Sequence, residues 1–232
     1  GSIGSFIGLL FGWPRLRRFH RLERLAYSES AEFIAEAGDR LTERAKILLG
    51  KLGTTSLRDV MKLVEADGRT SIWIGDLSVA TDSNRHVERK TIAAFQHAGL
   101  SLPQFILRPR RFTLDILATV LGLQEIHFAS YPGFSDTYHL SGSAEHLVTE
   151  LFDTSLLDHF SAQDGFEIGG NGDWLVVAAP QRGHLSAANR KLFSIQALRI
   201  LSLFAAACRD LDTSAVPQET RSATTQLNRL LP

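Results

Sequence analysis

Eight histidines and a single cysteine are the most reactive side chains in this 232-residue sequence. The densest grouping of residues able to move protons is Asp136, His139, Glu145 and His146, four within eleven positions. An acid beside a histidine is a pair that hydrolases use, the carboxylate orienting the imidazole and the imidazole taking a proton from water. If the chain is an enzyme, Asp136, His139 and His146 are its catalytic candidates. The same residues would hold a metal ion only by converging, and their spacing follows none of the established ligand patterns. No metal and no cofactor is expected. Asp158-His159 is a dyad in sequence only, since neighbours on a helix point different ways.

Other chemistry is thinly represented. Ser141-Gly142-Ser143 is not the Gly-x-Ser-x-Gly turn that presents a nucleophile. Cys208 lies in an apolar stretch, where a buried thiol is inert packing. Gly169-Gly170-Asn171-Gly172 lacks the lysine and the following helix of a phosphate-binding loop. It reads instead as a hairpin turn at Gly170, Asn171 and Gly172, because glycine and asparagine supply positive φ. Arg108, Arg110 and Arg111 form a basic knot around Pro109 that could touch anionic lipid head groups or simply face solvent. No aromatic residues interleave with it, so nucleic acid is not an expected partner.

These residues must be positioned by regular elements. Residues 15–49 carry apolar side chains at three- and four-residue steps, with Glu32/Glu36 and Arg40/Arg44 four apart, which predicts a helix; Leu57 to Glu65 reads as a second, shorter one. From Arg69 the pattern changes. Ser71 to Ala80 and Val87 to Phe95 read as a hairpin about Asp82-Ser83-Asn84, and Phe105 to Leu107, Glu125 to Ala129 and Thr137 to Leu140 as strands. Phe112 to Leu121, Ala144 to Phe152 and Leu156 to Phe160 have helical spacing. Phe166 to Ile168 and Trp174 to Ala179 flank the glycine-rich turn. Ser186 to Leu211 is apolar over most of its circumference but contains Arg199, which predicts a helix buried on the sheet rather than a membrane span. Thr213 to Pro232 is expected to be a loose tail.

The N-terminal end speaks to location. Residues 3–12 are apolar apart from Ser5, Trp13-Pro14 closes the run, and Arg15, Arg17, Arg18 and Arg21 follow. That order is how a membrane helix meets a cytoplasmic surface, with Trp13 and the four arginines at the interface. Gly4, Gly8 and Gly12 fall on one helix face, as in membrane helices that pack closely. Ten residues are too few to span a bilayer, so the expectation is the end of an anchor helix; the competing reading is a cap on a soluble core. A single cysteine rules out an intramolecular disulfide. The zero net charge conceals a partition: residues 1–111 hold eighteen bases against twelve acids, whereas residues 112–181 hold ten acids and no Lys or Arg. The acidic stretch suits a basic protein partner, or it pairs internally with the basic flanks.

A resemblance adds to this reading. Thr91-Ile92-Ala93-Ala94-Phe95, Leu102-Pro103-Gln104-Phe105-Ile106-Leu107-Arg108-Pro109, Gly133-Phe134-Ser135 and Tyr138-His139-Leu140 resemble a segment of a group of uncharacterised bacterial membrane-anchored proteins. The likeness continues through Leu151-Phe152, Leu156-Leu157-Asp158-His159-Phe160 and Gly172-Asp173-Trp174-Leu175, about residues 70–180. The group commonly has an acid after its Arg-Pro pair, where this chain has Arg110. The resemblance implies one or two N-terminal membrane helices and no inherited catalytic residue. The expected fold is α+β: a mostly antiparallel sheet with packed helices on one face, preceded by a helical neck and an anchor. The expected division is 1–14 anchor, 15–68 helical neck, 69–212 α+β domain and 213–232 tail. The expected function is a membrane-tethered, cytoplasm-facing binding or scaffolding domain. The alternatives are a hydrolase built on residues 136–146 and a structural subunit of a membrane complex.

Overall fold

In the computed structural model, which describes residues 20, 22–24, 26, 31–65, 68–80, 87–110 and 122–214, nine strands hydrogen-bond into one antiparallel sheet. They are β1 (Glu32–Glu36), β2 (Thr54–Val64), β3 (Thr70–Ala80), β4 (Val87–His97), β5 (Leu102–Pro109), β6 (Gln124–Ile126), β7 (Tyr138–Gly142), β8 (Glu167–Gly172) and β9 (Trp174–Ala178). Their order across the sheet is β1-β2-β3-β4-β9-β8-β5-β7-β6. The helices are α1 (Asp39–Leu48), α2 (Pro132–Thr137), α3 (Glu145–Leu151), α4 (Thr154–Ser161) and α5 (Ala187–Ser214). The α+β architecture with a mostly antiparallel sheet is as the sequence predicts. The anchor interface (Trp13, Arg15, Arg17, Arg18, Arg21), the turn at 82–84, the stretch 112–121 and residues 215–232 lie outside the described residues.

The expected helical neck is helical only in part: residues 20, 22–24 and 26 and helix α1 are helical, but strands β1 and β2 occupy the rest of its described ordered elements. Of the stretch Leu57 to Glu65, expected as a helix, all but Glu65 belongs to the eleven-residue strand β2, which pairs with β3 from Thr54↔Ala80 to Val64↔Ser71. The error has a physical origin. The register slips between Arg58 and Met61, and Asp59 has φ +51°. This bulge puts Leu57 and Val60 in one core and Met61 in the other, so the apolar spacing mimics a helical step. Glu32 and Glu36 are four apart on strand β1, where they also share a side, and each meets a cation of β2: Lys62 at 3.2 Å and Arg58 at 3.3 Å. The sheet therefore runs across the boundary expected at residue 69.

The glycine-rich turn is also shifted. Asn171 pairs with Trp174, so the turn is Gly172-Asp173, with Gly172 at φ +61°. Gly169 and Gly170 lie inside β8 and serve packing. A Cβ on Gly169 would sit 1.7 Å from the Leu48 carbonyl oxygen, and one on Gly170 would sit 2.4 Å from the Phe105 ring. The end of α1 is thus pressed directly onto the strand.

The sheet is covered on both faces. Alternation along the strands sends Leu57, Leu77, Val79, Ile92, Ala94, Val176 and Ala178 toward α1, where they join Ala45, Leu48 and Leu49. Ile72, Ile74, Ala93, Phe95, Phe105, Leu107, Ile168 and Val177 point the other way, onto α3, α4 and α5. Phe105, Phe152 and Phe204 meet there with ring centroids 5.3 to 5.7 Å apart. Each such ring stabilises the fold by about 1.5–3 kcal/mol through burial. Helix α5 lies on this larger core through Phe193, Ala197, Ile200, Leu201 and Phe204, as expected for a helix buried on the sheet. Cys208 is buried in the same core.

Candidate functional site

The residues expected to carry acid–histidine chemistry are not brought together. Asp136 is exposed near the end of α2, and Glu145 and His146 are exposed on the first turn of α3. His139, on β7, turns instead to Glu125 on β6, with Nδ1 2.9 Å from Oε1. Among the described residues no group of three His, Cys, Asp or Glu is placed to hold a metal ion. His159 of the Asp158-His159 pair packs edge-on against Phe160. Burial, and then the nearby Arg199, lower its pKa below the usual imidazole value.

Glu125 collects three partners that the linear sequence conceals. Its Oε1 lies 2.9 Å from His139, 3.1 Å from His127 and 3.5 Å from Arg110. The register Ile126↔Leu140 and Glu125↔Ser141 brings the short edge strand beside β7. The Arg110 Nε also donates to the Ser135 carbonyl. Arg108 points inward from β5 and donates to the carbonyls of Leu49 and Gly50, closing the C-terminus of α1. Both arginines are engaged within the fold, and Arg111 lies outside the described residues.

Two further clusters are buried, one on each face of the sheet. On the α5 face, Arg190 lies 2.7 Å from Asp76, and its Nη1 donates to the carbonyls of Asp59 (2.7 Å) and Ile74 (3.3 Å). Thr91 donates to Asp76 (2.8 Å) and accepts from the Leu185 amide (2.9 Å). His184 stands between Ser78, 3.4 Å from Nε2, and Asp76, 3.6 Å from Nδ1. The order Ser–His–Asp invites comparison with a nucleophilic triad. The distances are longer than working hydrogen bonds, and the Asp76 carboxylate is committed to Arg190 and Thr91. The network ties the start of α5 to the β2 bulge and to β3 and β4.

On the α1 face, Glu167 receives Lys90 and Lys51, the latter at 2.7 Å, and Lys51 also reaches Glu88 at 2.9 Å. Burial by itself raises the pKa of Glu167, but the two ammonium groups and their hydrogen bonds outweigh it and bring the carboxyl down to about 2. A shallow dent beside this cluster is lined by Leu49, Lys51, Leu77, Val79, Glu88 and Lys90. Two acids and two lysines balance there, so the dent offers no excess charge to a ligand.

Among the described residues, the outer surface of the helical layer is one that is open to a partner. Asp136, Glu145, Glu150 and Asp158 are exposed on α2, α3 and α4. Leu192, Ile195 and Leu198 are exposed along α5. Of the ten acids at 112–181, Glu167 pairs with the basic flank, Asp153 caps α4 by accepting from the Leu156 amide at 2.9 Å, and Asp173 accepts from Gln96 at 2.7 Å. The charge partition is thus partly internal and partly displayed. The segment Ala187–Leu211 of α5 is, among the described residues, the one helix long and apolar enough by length and composition to cross a membrane.

No known protein family matches the sequence, and no curated protein does. Among solved structures the chain is similar to the mycobacterial trehalose monomycolate transport factor A, TtfA, with a TM-score of 0.56 and 11% identity over 82% of this chain and 94% of that one. At that identity the likeness concerns the arrangement of sheet and helices, and this chain shares that fold.

Proposed function

We propose that this protein is a membrane-tethered, cytoplasm-facing domain that binds or scaffolds rather than catalyses. The observation that carries the reading is the disposition of charge. The most deeply buried ions, Asp76–Arg190 and Glu167–Lys90–Lys51, pair with one another inside the fold. The exposed acids Asp136, Glu145, Glu150 and Asp158 sit on helices that contain no Lys or Arg. A surface of that kind attracts a basic protein partner in a salt-dependent way, because exposed charges are screened over about 8 Å at physiological ionic strength. The fold neighbour is described as a transport factor, a role compatible with binding. The tether rests on residues 3–12 with Trp13, Arg15, Arg17, Arg18 and Arg21.

Carbonate extraction of membranes tests the tether. The native protein stays in the pellet and needs detergent; release into the soluble fraction removes the anchor. Orientation is read with a thiol probe on Ser222→Cys in a Cys208→Ser background. The tail is shielded in intact cells and labelled after lysis, and labelling from outside reverses the sidedness.

A further inference from the structure

We infer that the outer face of α5 rests on an anionic lipid surface, as a second membrane contact beside the tether. The inference rests on the tethered reading of the N-terminal segment and adds to it which face of the domain meets the leaflet. Leu192, Ile195 and Leu198 are 63%, 59% and 39% exposed, at three-residue steps along one helix. Lys191 and Arg199, both exposed, stand four positions either side of Ile195 and so share its stripe. From Trp174 to Arg209 the chain has no Asp or Glu. The opposite side of α5, through Phe193, Ala197, Ile200 and Phe204, fills the larger core, so the stripe is presented on a helix that is already folded. Apolar anchors bordered by cations on one face of a surface helix bind the head-group region of an anionic leaflet. The long stems of Lys and Arg lie along the apolar side chains while their charges reach the phosphates.

The route of the chain selects a lipid surface over an acidic protein, which would fit the same stripe. Leu22 and Ala26 are buried, and Ala26 belongs to the larger core, the one that α5 covers. The chain therefore enters the domain on the α5 side of the sheet. From Trp13 to His20 is seven residue steps, at most about 25 Å when fully extended. A bilayer that holds residues 3–12 is thus kept close to that side, and the tether raises the effective concentration of lipid there. Helix α1 and the smaller core lie across the sheet. The exposed acids Asp136, Glu145, Glu150 and Asp158 belong to α2, α3 and α4, not to α5. A second copy set stripe to stripe would bring cations against cations.

The test uses the full-length protein in vesicles of phosphatidylcholine, with or without phosphatidylserine, that carry a nitroxide-labelled lipid as quencher. A fluorescent thiol probe is placed at Ser202→Cys, on the outer face of α5, or at Ile47→Cys, exposed on α1 across the sheet, each in a Cys208→Ser background. With phosphatidylserine the probe at 202 is quenched at least about twofold more than the probe at 47, and the difference shrinks in phosphatidylcholine alone and at high salt. Lys191→Glu with Arg199→Glu, and separately Leu192→Asp with Ile195→Asp, abolish the difference while melting is unchanged. Equal quenching at the two positions overturns the inference. So does stronger quenching at 202 in phosphatidylcholine alone, or a dimer that Leu192→Asp dissolves. Protein that floats with both kinds of vesicle while 202 stays unquenched overturns the dock and leaves the tether standing. Protein that floats only with phosphatidylserine, in a Leu192-dependent way, supports the dock and removes the tether.

Discussion

Two buried ion clusters stand back to back across the same strands, and they are held in different ways. Thr91 and Lys90 are neighbours on β4; one faces Asp76 and Arg190 under α5, the other faces Glu167 and Lys51 at the end of α1. On the α5 side a single planar guanidinium reaches a carboxylate and two backbone carbonyls, one of them at the β2 bulge. On the α1 side two flexible ammonium groups neutralise one carboxylate. An arginine fork fixes directions, whereas a lysine supplies a point charge on a pliant stem. The first cluster therefore sets where the bulge and the start of α5 lie. The second mainly keeps a buried acid ionised.

The largest expected effect lies on the arginine side. Arg190→Met leaves Asp76 charged and buried with its main partner gone, and destabilises the fold by about 3–5 kcal/mol in urea unfolding. Adding Asp76→Leu removes the stranded charge. If the cluster were charge neutralisation alone, the double variant would recover most of the loss. Because the fork also holds the carbonyls of Asp59 and Ile74, a substantial part of the loss persists, and full recovery would show that the arginine, like the lysines, only neutralises charge.

On the lysine side the backbone approach comes first. Gly169→Ala places a Cβ 1.7 Å from the Leu48 carbonyl, which forces α1 off β8 and costs about 3 kcal/mol, the upper end of overpacking. A melting temperature equal to that of the parent would show that α1 is not seated on this strand. Glu167 then gives a pH signature. Its pKa falls from 4.5 to about 2 on folding, so the stability it contributes is complete above the unfolded value. That contribution is lost as pH falls through the folded one, between about 4.5 and 2. The loss amounts to at most about 3 kcal/mol. Glu167→Gln flattens the stability profile in that window, and an unchanged acid limb would assign the slope to other carboxylates.

The smallest effect belongs to the exposed cluster. Glu125 has three partners, yet it and they are open to solvent. Glu125→Gln should change stability by less than about 1 kcal/mol. A loss comparable to that of Arg190→Met would mean that partner number rather than burial sets the worth of these pairs.

How much of this was legible in the sequence varied along the chain. The strands around Ser71 to Ala80, Val87 to Phe95 and Trp174 to Ala179 were readable because their local pattern of apolar residues agrees with the final pairing. Within the expected neck, Leu57 to Val64 is misread because one bulge at Asp59 turns a two-residue period into an apparent helical one, and Glu32 and Glu36 because their partners lie across the sheet rather than along the chain. The candidate site failed for a related reason: Asp136, His139 and His146 are close in number, but a helix, a strand and another helix carry them apart.

The sequence by itself determined the class of the fold, the apolar faces, the long C-terminal helix and the uneven distribution of charge, since these depend on composition and short-range periodicity. Tertiary structure alone decided which ions meet. Asp76 finds Arg190 and Glu167 finds Lys90 across separations of 114 and 77 residues. No local pattern marks such pairs, because they form only when distant strands come into register and exclude water around them.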